Sequence, residues 1–184
     1  ELFLSSFRCI DEPEIAIECH PGYLNEKHWL QLVEAGFNRC SIGIQDFNEE
    51  VLRTANRKGS LLPPARIFEL LREHDVSINL DFIYGLPGQT AAGFEETIRQ
   101  AASLRPDRLV TFSYAHVPWV NKDMLKLEKA GLPEAEEKSN MYRRAAAALS
   151  ERGYVPVGLD HFVQPDDSLH VALQKGLLHR NFQG

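Results

Sequence analysis

Residues 78–81 read Ile78-Asn79-Leu80-Asp81, a predicted strand that ends on a carboxylate. Two earlier segments have the same build: Ile15-Ala16-Ile17-Glu18 and Cys40-Ser41-Ile42-Gly43-Ile44-Gln45. The steps between Glu18, Gln45 and Asp81 are 27 and 36 residues, and a fourth strand, Leu109–Ala115, ends 34 residues after Asp81. Each step holds one strand, one helix and two turns. Parallel strands joined by helical crossovers collect their C-terminal ends on one face, and that face is where such folds bind and react. A carboxylate, an amide and a second carboxylate gathered there read as a ligand site more than as core.

The segments between these strands carry helix signals. Asn25 caps a predicted helix over Glu26–Ala35 that turns Trp29, Leu32 and Val33 inward, and Gly36 stops it. Asn48 caps a second helix with Val51, Leu52 and Ala55 inward, ended by Arg57-Lys58-Gly59, and Pro63-Pro64 opens a third with Ile67, Leu70 and Leu71. The strand Ser77–Ile83 runs into Tyr84-Gly85-Leu86-Pro87-Gly88, a turn able to bring backbone close to a ligand, and Thr90 caps a helix with Phe94, Ile98, Ala101 and Ala102 inward. The spacing then predicts helices over Lys122–Ala130, Glu134–Arg152 and Asp166–Gly176, and a further strand over Tyr154–Leu159 that ends on Asp160-His161.

With 184 residues and 43% hydrophobic side chains the chain has enough apolar material for one core, so residues 1–184 are expected to form one domain. A net charge of -6 argues against a nucleic-acid partner, and no apolar run approaches the roughly 20 residues of a membrane span. Cys9, Cys19 and Cys40 fit neither a zinc site nor a disulfide framework, which makes a reducing cytoplasm the expected home. The chain opens on Glu1-Leu2-Phe3-Leu4 and stops at His179-Arg180-Asn181-Phe182-Gln183-Gly184, and four βα steps do not close a barrel. The expectation is a piece of a longer protein; the alternative is a small open α/β sheet complete in itself.

No G-x-G-x-x-G, Walker loop, G-x-S-x-G or H-E-x-x-H occurs, so nucleophilic hydrolysis has no support. The polar strand ends remain, and carboxylates there suit a metal, ribose hydroxyls, an ammonium or a sulfonium. Each residue also has a plainer reading. Glu18, before Cys19-His20-Pro21, can accept turn amides; Arg57 is either a solvated charge or a guanidinium that swings over the strand ends. His20, His116 and His161 fall near strand ends, but without a helical i,i+4 pair they read better as core or hydrogen-bonded histidines than as a metal site. Tyr114 reads as barrel packing, and His28 and His74 as surface residues.

Several stretches together resemble the radical S-adenosylmethionine (radical SAM) enzymes. They are Ile17-Glu18-Cys19-His20-Pro21, Gly36-Phe37-Asn38-Arg39-Cys40-Ser41-Ile42-Gly43-Ile44-Gln45-Asp46-Phe47 and Asn79-Leu80-Asp81-Phe82-Ile83-Tyr84-Gly85-Leu86-Pro87-Gly88-Gln89-Thr90. Phe112-Ser113-Tyr114-Ala115-His116-Val117-Pro118, Leu159-Asp160-His161-Phe162 and Leu178-His179-Arg180-Asn181-Phe182-Gln183-Gly184 are similar, within them, to the oxygen-independent coproporphyrinogen III oxidase family. The resemblance implies an α/β fold, an incomplete (β/α)6 TIM-like barrel with core βα units over about 13–119 and a barrel extension over about 120–184. It implies oxidative decarboxylation of two propionates of coproporphyrinogen III to vinyls, giving protoporphyrinogen IX in heme biosynthesis, with an electron donor and without nucleic acid or membrane.

The cofactors implied are two S-adenosylmethionine molecules and a [4Fe–4S] cluster. The family's C-x-x-x-C-x-x-C cluster loop follows its first barrel strand, and no such motif occurs here; Glu18 corresponds to the end of the third strand. The resemblance therefore assigns this chain no metal ligand and no catalytic residue, and the truncated chain is expected to be inactive. It carries over five contacts: Glu18 at the first adenosylmethionine, Gln45, Arg57 and Asp81 at the second, and the backbone of Ala115 at a cofactor. Arg180 and Lys122 are basic groups available to substrate carboxylates. Exposed barrel edges would let the piece pair with itself. Two alternatives stay open: a heme-chaperone relative that binds heme without decarboxylation, and a metal-dependent barrel hydrolase using Glu18, Asp81 and His116.

Overall fold

The computed structural model describes Asp11 and residues 13–179; Cys9, Arg180 and the last four residues of the Leu178–Gly184 stretch lie outside them. Four strands, β1 (Ala16–Cys19), β2 (Arg39–Gln45), β3 (Ser77–Tyr84) and β4 (Arg108–Ser113), pair in parallel in sequence order. Two short strands, β5 (Val155–Val157) and β6 (His161–Val163), extend the sheet in the order β1-β2-β3-β4-β6-β5. Among the described residues the sheet is open, with β1 and β5 at its edges.

The crossovers are helices whose starts the sequence encodes. Helix α1 (Glu26–Glu34) opens with a reciprocal cap: Asn25 Oδ1 accepts from His28 N (3.1 Å), and His28 Nδ1 accepts from Asn25 N (3.3 Å). Asn48 caps α2 (Glu49–Thr54), Pro63-Pro64 leads into α3 (Pro64–Arg72), and Thr90 caps α4 (Ala91–Ser103). Helices α5 (Met124–Lys129), α6 (Ala135–Glu151) and α7 (Ser168–Gln174) follow. No described helix is long and apolar enough to cross a membrane.

One face of the sheet is apolar and one polar, because side chains alternate along each strand. Cys40, Ile42 and Ile44 of β2, with Ile78, Leu80 and Phe82 of β3, pack under the helices against Trp29, Ile67, Leu71, Phe94 and Ile98. Burying each of these side chains contributes about 1.5–3 kcal/mol before chain entropy is charged against it. The alternate residues Arg39, Ser41, Gly43, Asn79 and Asp81 face away from the helices, into the hollow of the open barrel.

Three expectations need correction. The strand expected over Tyr154–Leu159 is a hairpin: Gly158 at φ +70° turns the chain, and β6 returns antiparallel to β4 and β5. β4 ends at Ser113 rather than Ala115, because Phe112 and Ser113 are already exposed and the chain peels away. Asp81 lies inside β3, three residues before its end, rather than at its tip.

Candidate functional site

The site is built on the C-terminal halves of β1, β2 and β3. At the top of β2 the ladder to β3 slips by one residue between Gly43 and Gln45. Gln45 has φ +70°, and Asp46 N donates to Ile44 O across it at 2.9 Å. An i+2→i bond around a positive φ is the rarer, strained form of γ-turn, and such a backbone at a long side chain costs of order 1–3 kcal/mol. The turn lays the Gln45 carboxamide back over Gly43, where a Cβ would fall 2.7 Å from Gln45 Nε2. Gln45 is buried, and its Oε1 has no hydrogen-bond partner among the described residues.

Asp81 stands beside it on β3. Ser41 Oγ donates to Asp81 Oδ2 at 2.7 Å, and Asn79 Nδ2 donates to Asp81 Oδ1 at 3.2 Å and to Ser41 Oγ at 3.0 Å. Burial pushes the Asp81 carboxyl up to about 6; the Ser41 hydroxyl pulls it down, and the charge of Glu18 raises it again. Glu18 itself is exposed at the top of β1.

Arg57 reaches the site from the segment after α2. Asn56 at φ +54° reverses the chain, and Arg57 N donates to Leu52 O at 2.8 Å. Burial lowers the His20 imidazole, and the neighbouring Arg57 charge lowers it further. The ring is engaged locally, with Nδ1 accepting from Gly22 N at 3.1 Å. Glu18, Ser41, Gly43, Gln45, Arg57 and Asp81 line one pocket of about 280 Å³, together with Cys19 and His20. A hollow of about 390 Å³ around Pro21, Phe47 and Leu61 is larger, but among the described residues Asp46 and Glu49 are its only carboxylates, and Asp46 is bound up internally.

Ala115 is not in this group: it is exposed, beyond the end of β4. His116 does not join it either. Its Nδ1 faces Tyr114 Oη at 3.3 Å and its Nε2 faces Glu128 at 3.4 Å, so Tyr114 is hydrogen-bonded rather than simply packed. Among the described residues, no three His, Cys, Asp or Glu side chains are arranged to hold a metal ion. The barrel-hydrolase alternative, which needs His116 with Glu18 and Asp81, loses its geometry. The Cys19 and Cys40 thiols lie against each other in the core, where the Cys40 sulfur and burial push the Cys19 thiol up.

Five polar residues with a part in the site carried no sequence signal that singled them out. Ser41 and Asn79 hold Asp81, while Asp46, Gln89 and Thr97 form a buried cluster behind Gln45. The Gly85–Gly88 turn, read as able to bring backbone close to a ligand, also delivers Gln89 to Asp46 and to Ile83 O (2.7 and 2.8 Å). What signal there was lay in position: Ser41 and Asn79 share strand faces with Gly43 and Asp81 at period two.

Chemically, two carboxylates and an amide oxygen accept from an ammonium or from hydroxyls, and a guanidinium pairs with a carboxylate. The pocket suits a small zwitterion that also carries hydroxyl groups. Residues 3–101 match the model of the radical SAM superfamily. The chain is 43% identical over 183 residues to the oxygen-independent coproporphyrinogen III oxidase of Synechocystis, covering 97% of this chain and 39% of that protein. It is 41% identical over 188 residues to the Escherichia coli enzyme of the same name, covering all of this chain and 40% of that one. The solved structure of coproporphyrinogen III oxidase (HemN) from Escherichia coli, described as a radical SAM enzyme, superposes with a TM-score of 0.93 at 41% identity, covering 100% of this chain and 42% of that chain. The chain thus spans about two fifths of the curated relatives it matches.

Proposed function

Because this chain belongs to the radical SAM superfamily, we propose that its polar pocket is one wall of an S-adenosylmethionine site. The protein it serves, in this reading, oxidatively decarboxylates two propionates of coproporphyrinogen III to vinyls. The observation that carries the reading is the convergence of Glu18, Gln45, Arg57 and Asp81 on one pocket, with a buried Gln45 oxygen left for an incoming donor. The relatives named as oxygen-independent coproporphyrinogen III oxidases support the choice of substrate over the heme-binding alternative.

The donor set fits the cofactor. In this reading Glu18 serves the first S-adenosylmethionine and Gln45, Arg57 and Asp81 the second: the two carboxylates offer oxygens to ribose hydroxyls or a methionyl ammonium, Gln45 offers its unpaired oxygen, and Arg57 offers a fork for a methionyl carboxylate. Ser41 and Asn79 fix both Asp81 oxygens, so the carboxylate enters binding already oriented. Burial favours its neutral form below about pH 6, and a bound cation would favour the anion. The backbone of Ala115 belongs to the reading as a cofactor contact, although its side chain is exposed and outside this pocket.

The iron–sulfur group does not fit these residues. Cys19 and Cys40 are buried in the core, and the sequence holds no C-x-x-x-C-x-x-C. When bound, the cofactors supply the one-electron chemistry; this chain binds, orients and shields. By itself, on this reading, the 184-residue chain turns nothing over. Residues 13–119 act as the barrel core and 120–184 as its extension, the reaction runs in the cytoplasm with an electron donor, and the open sheet edges favour self-association of the isolated chain.

The test is an anaerobic assay of the protein with its cluster segment, following conversion of coproporphyrinogen III to protoporphyrinogen IX and release of CO₂. Arg57→Ala and Asp81→Asn should each lower the rate by about tenfold or more, a loss of one charge-assisted hydrogen bond. Full activity in both variants would remove the pocket from the reaction. Tight stoichiometric heme binding without decarboxylation would replace the oxidase reading with the chaperone one.

A further inference from the structure

The strained turn at Gln45 needs something to hold it, and the Gln45 side-chain oxygen does not supply it. Gln45 Oε1 has no partner among the described residues, so the side chain does not tie the backbone down through that oxygen. The next residue is anchored on three sides. Asp46 is 2% exposed; its Oδ1 accepts from Thr97 Oγ1 (2.6 Å) and Asn48 N (2.9 Å), and its Oδ2 accepts from Gln89 Nε2 (2.7 Å). Thr97 lies on α4, and Gln89 closes the loop after β3, with its Oε1 accepting from Leu86 N at 2.7 Å. Asp46 is thus fixed to two elements beside the end of β2. To reach that anchor, the chain leaving Ile44 must reverse within one residue, and that residue is Gln45. Backbone strain of this kind persists where the surroundings over-determine it.

We infer that Asp46, clamped by Thr97 and Gln89, is a positioning residue that holds the strained turn and so aims Gln45 into the pocket. That Gln45 then meets the cofactor rests on the reading proposed above; the clamp itself does not. The inference gives a role to Gln89 and Thr97, neither of which lines the pocket. It also gives a reason for a long side chain at a backbone position that favours glycine: the turn presents a carboxamide, and glycine has none.

The experiment is amide hydrogen exchange and proton NMR on the 184-residue chain. A positive φ at Gln45 gives a strong intraresidue amide-to-α-proton NOE, and the turn protects the Asp46 amide. Thr97→Val removes one clamp and should speed exchange at Asp46 about fivefold or more relative to the core amides of Leu80 and Leu109, and weaken that NOE. Thr97→Ser, which keeps the hydroxyl, should restore both. Asp46→Asn, which turns the oxygen facing Gln89 into a donor, carries the same expectation as Thr97→Val and replaces it if that variant does not fold. With Gln45→Gly the turn is no longer strained, so adding Thr97→Val should change Asp46 exchange less than about twofold. Asp46 exchange that rises only in step with Leu80 and Leu109, or rises equally in the Gln45→Gly background, overturns the inference. Adding S-adenosylmethionine separates the two claims. If the turn loosens in Thr97→Val while affinity stays at the wild-type value, the clamp stands and the contact between Gln45 and the cofactor falls.

Discussion

Gln45 and Asp46 are neighbours in sequence, both buried and both polar, yet their surroundings are finished differently. Around Asp46 both carboxylate oxygens are matched by donors from Thr97, Gln89 and Asn48. Around Gln45 an oxygen is left unmatched, the neighbouring Asp81 carboxyl is held at about 6, and a pocket opens beside them. A buried polar cluster with its bonds satisfied internally specifies structure; one left unsatisfied has room for a ligand. The contrast separates scaffold from site without reference to any relative.

The largest effect should come from breaking the satisfied side. Asp46→Ala leaves the Gln89 amide, the Thr97 hydroxyl and the Asn48 N–H facing an empty buried space. The expected loss is about 3–5 kcal/mol, read as a drop in the urea midpoint. A loss below about 1 kcal/mol would mean that the cluster is not the scaffold it resembles.

The unsatisfied side should respond with the opposite sign. Asp81 has its folded pKa raised from 3.8 to about 6, so the folded state holds its proton more tightly than the unfolded chain. Its contribution is fully present below about pH 4 and is lost as pH rises through 6. Relative to the parent, Asp81→Asn should therefore gain up to about 3 kcal/mol in the ligand-free chain between pH 3.5 and pH 8, on top of a pH-independent cost for the amide group that replaces one accepting oxygen. Urea titrations at pH 8, 5 and 3.5 read this directly, and a pH-independent difference would contradict it.

Much of the scaffold was legible in the sequence because its signals are local. Asn25, Asn48 and Thr90 cap the helices they were expected to cap, and Trp29, Ile67, Phe94 and Ile98 are buried where periodicity placed them. The pocket was partly legible, since polar residues inside apolar strands stand out, and Glu18, Gln45, Arg57 and Asp81 do share one pocket. The clamp was not. Asp46, Gln89 and Thr97 meet across 43 and 51 residues, and no local pattern encodes such a meeting. The hairpin at Gly158 was hidden for a related reason: β6 is three residues long and is defined by its pairing with β4 rather than by its own periodicity. Ala115 was placed at a strand end because the β pattern continues past Ser113, while the chain itself leaves the sheet.

The smallest effect on stability, and the sharpest on function, is expected at Arg57. If the unsatisfied pocket takes S-adenosylmethionine, an NMR titration of the 184-residue chain with that compound will register it. Saturable shifts are expected at Glu18, Gln45, Arg57 and Asp81. In Arg57→Ala the affinity should fall about tenfold while stability stays within about 0.5 kcal/mol of the parent. Saturable shifts centred instead on the hollow around Pro21, Phe47 and Leu61, or no saturable shift at these four residues, would contradict binding in this pocket.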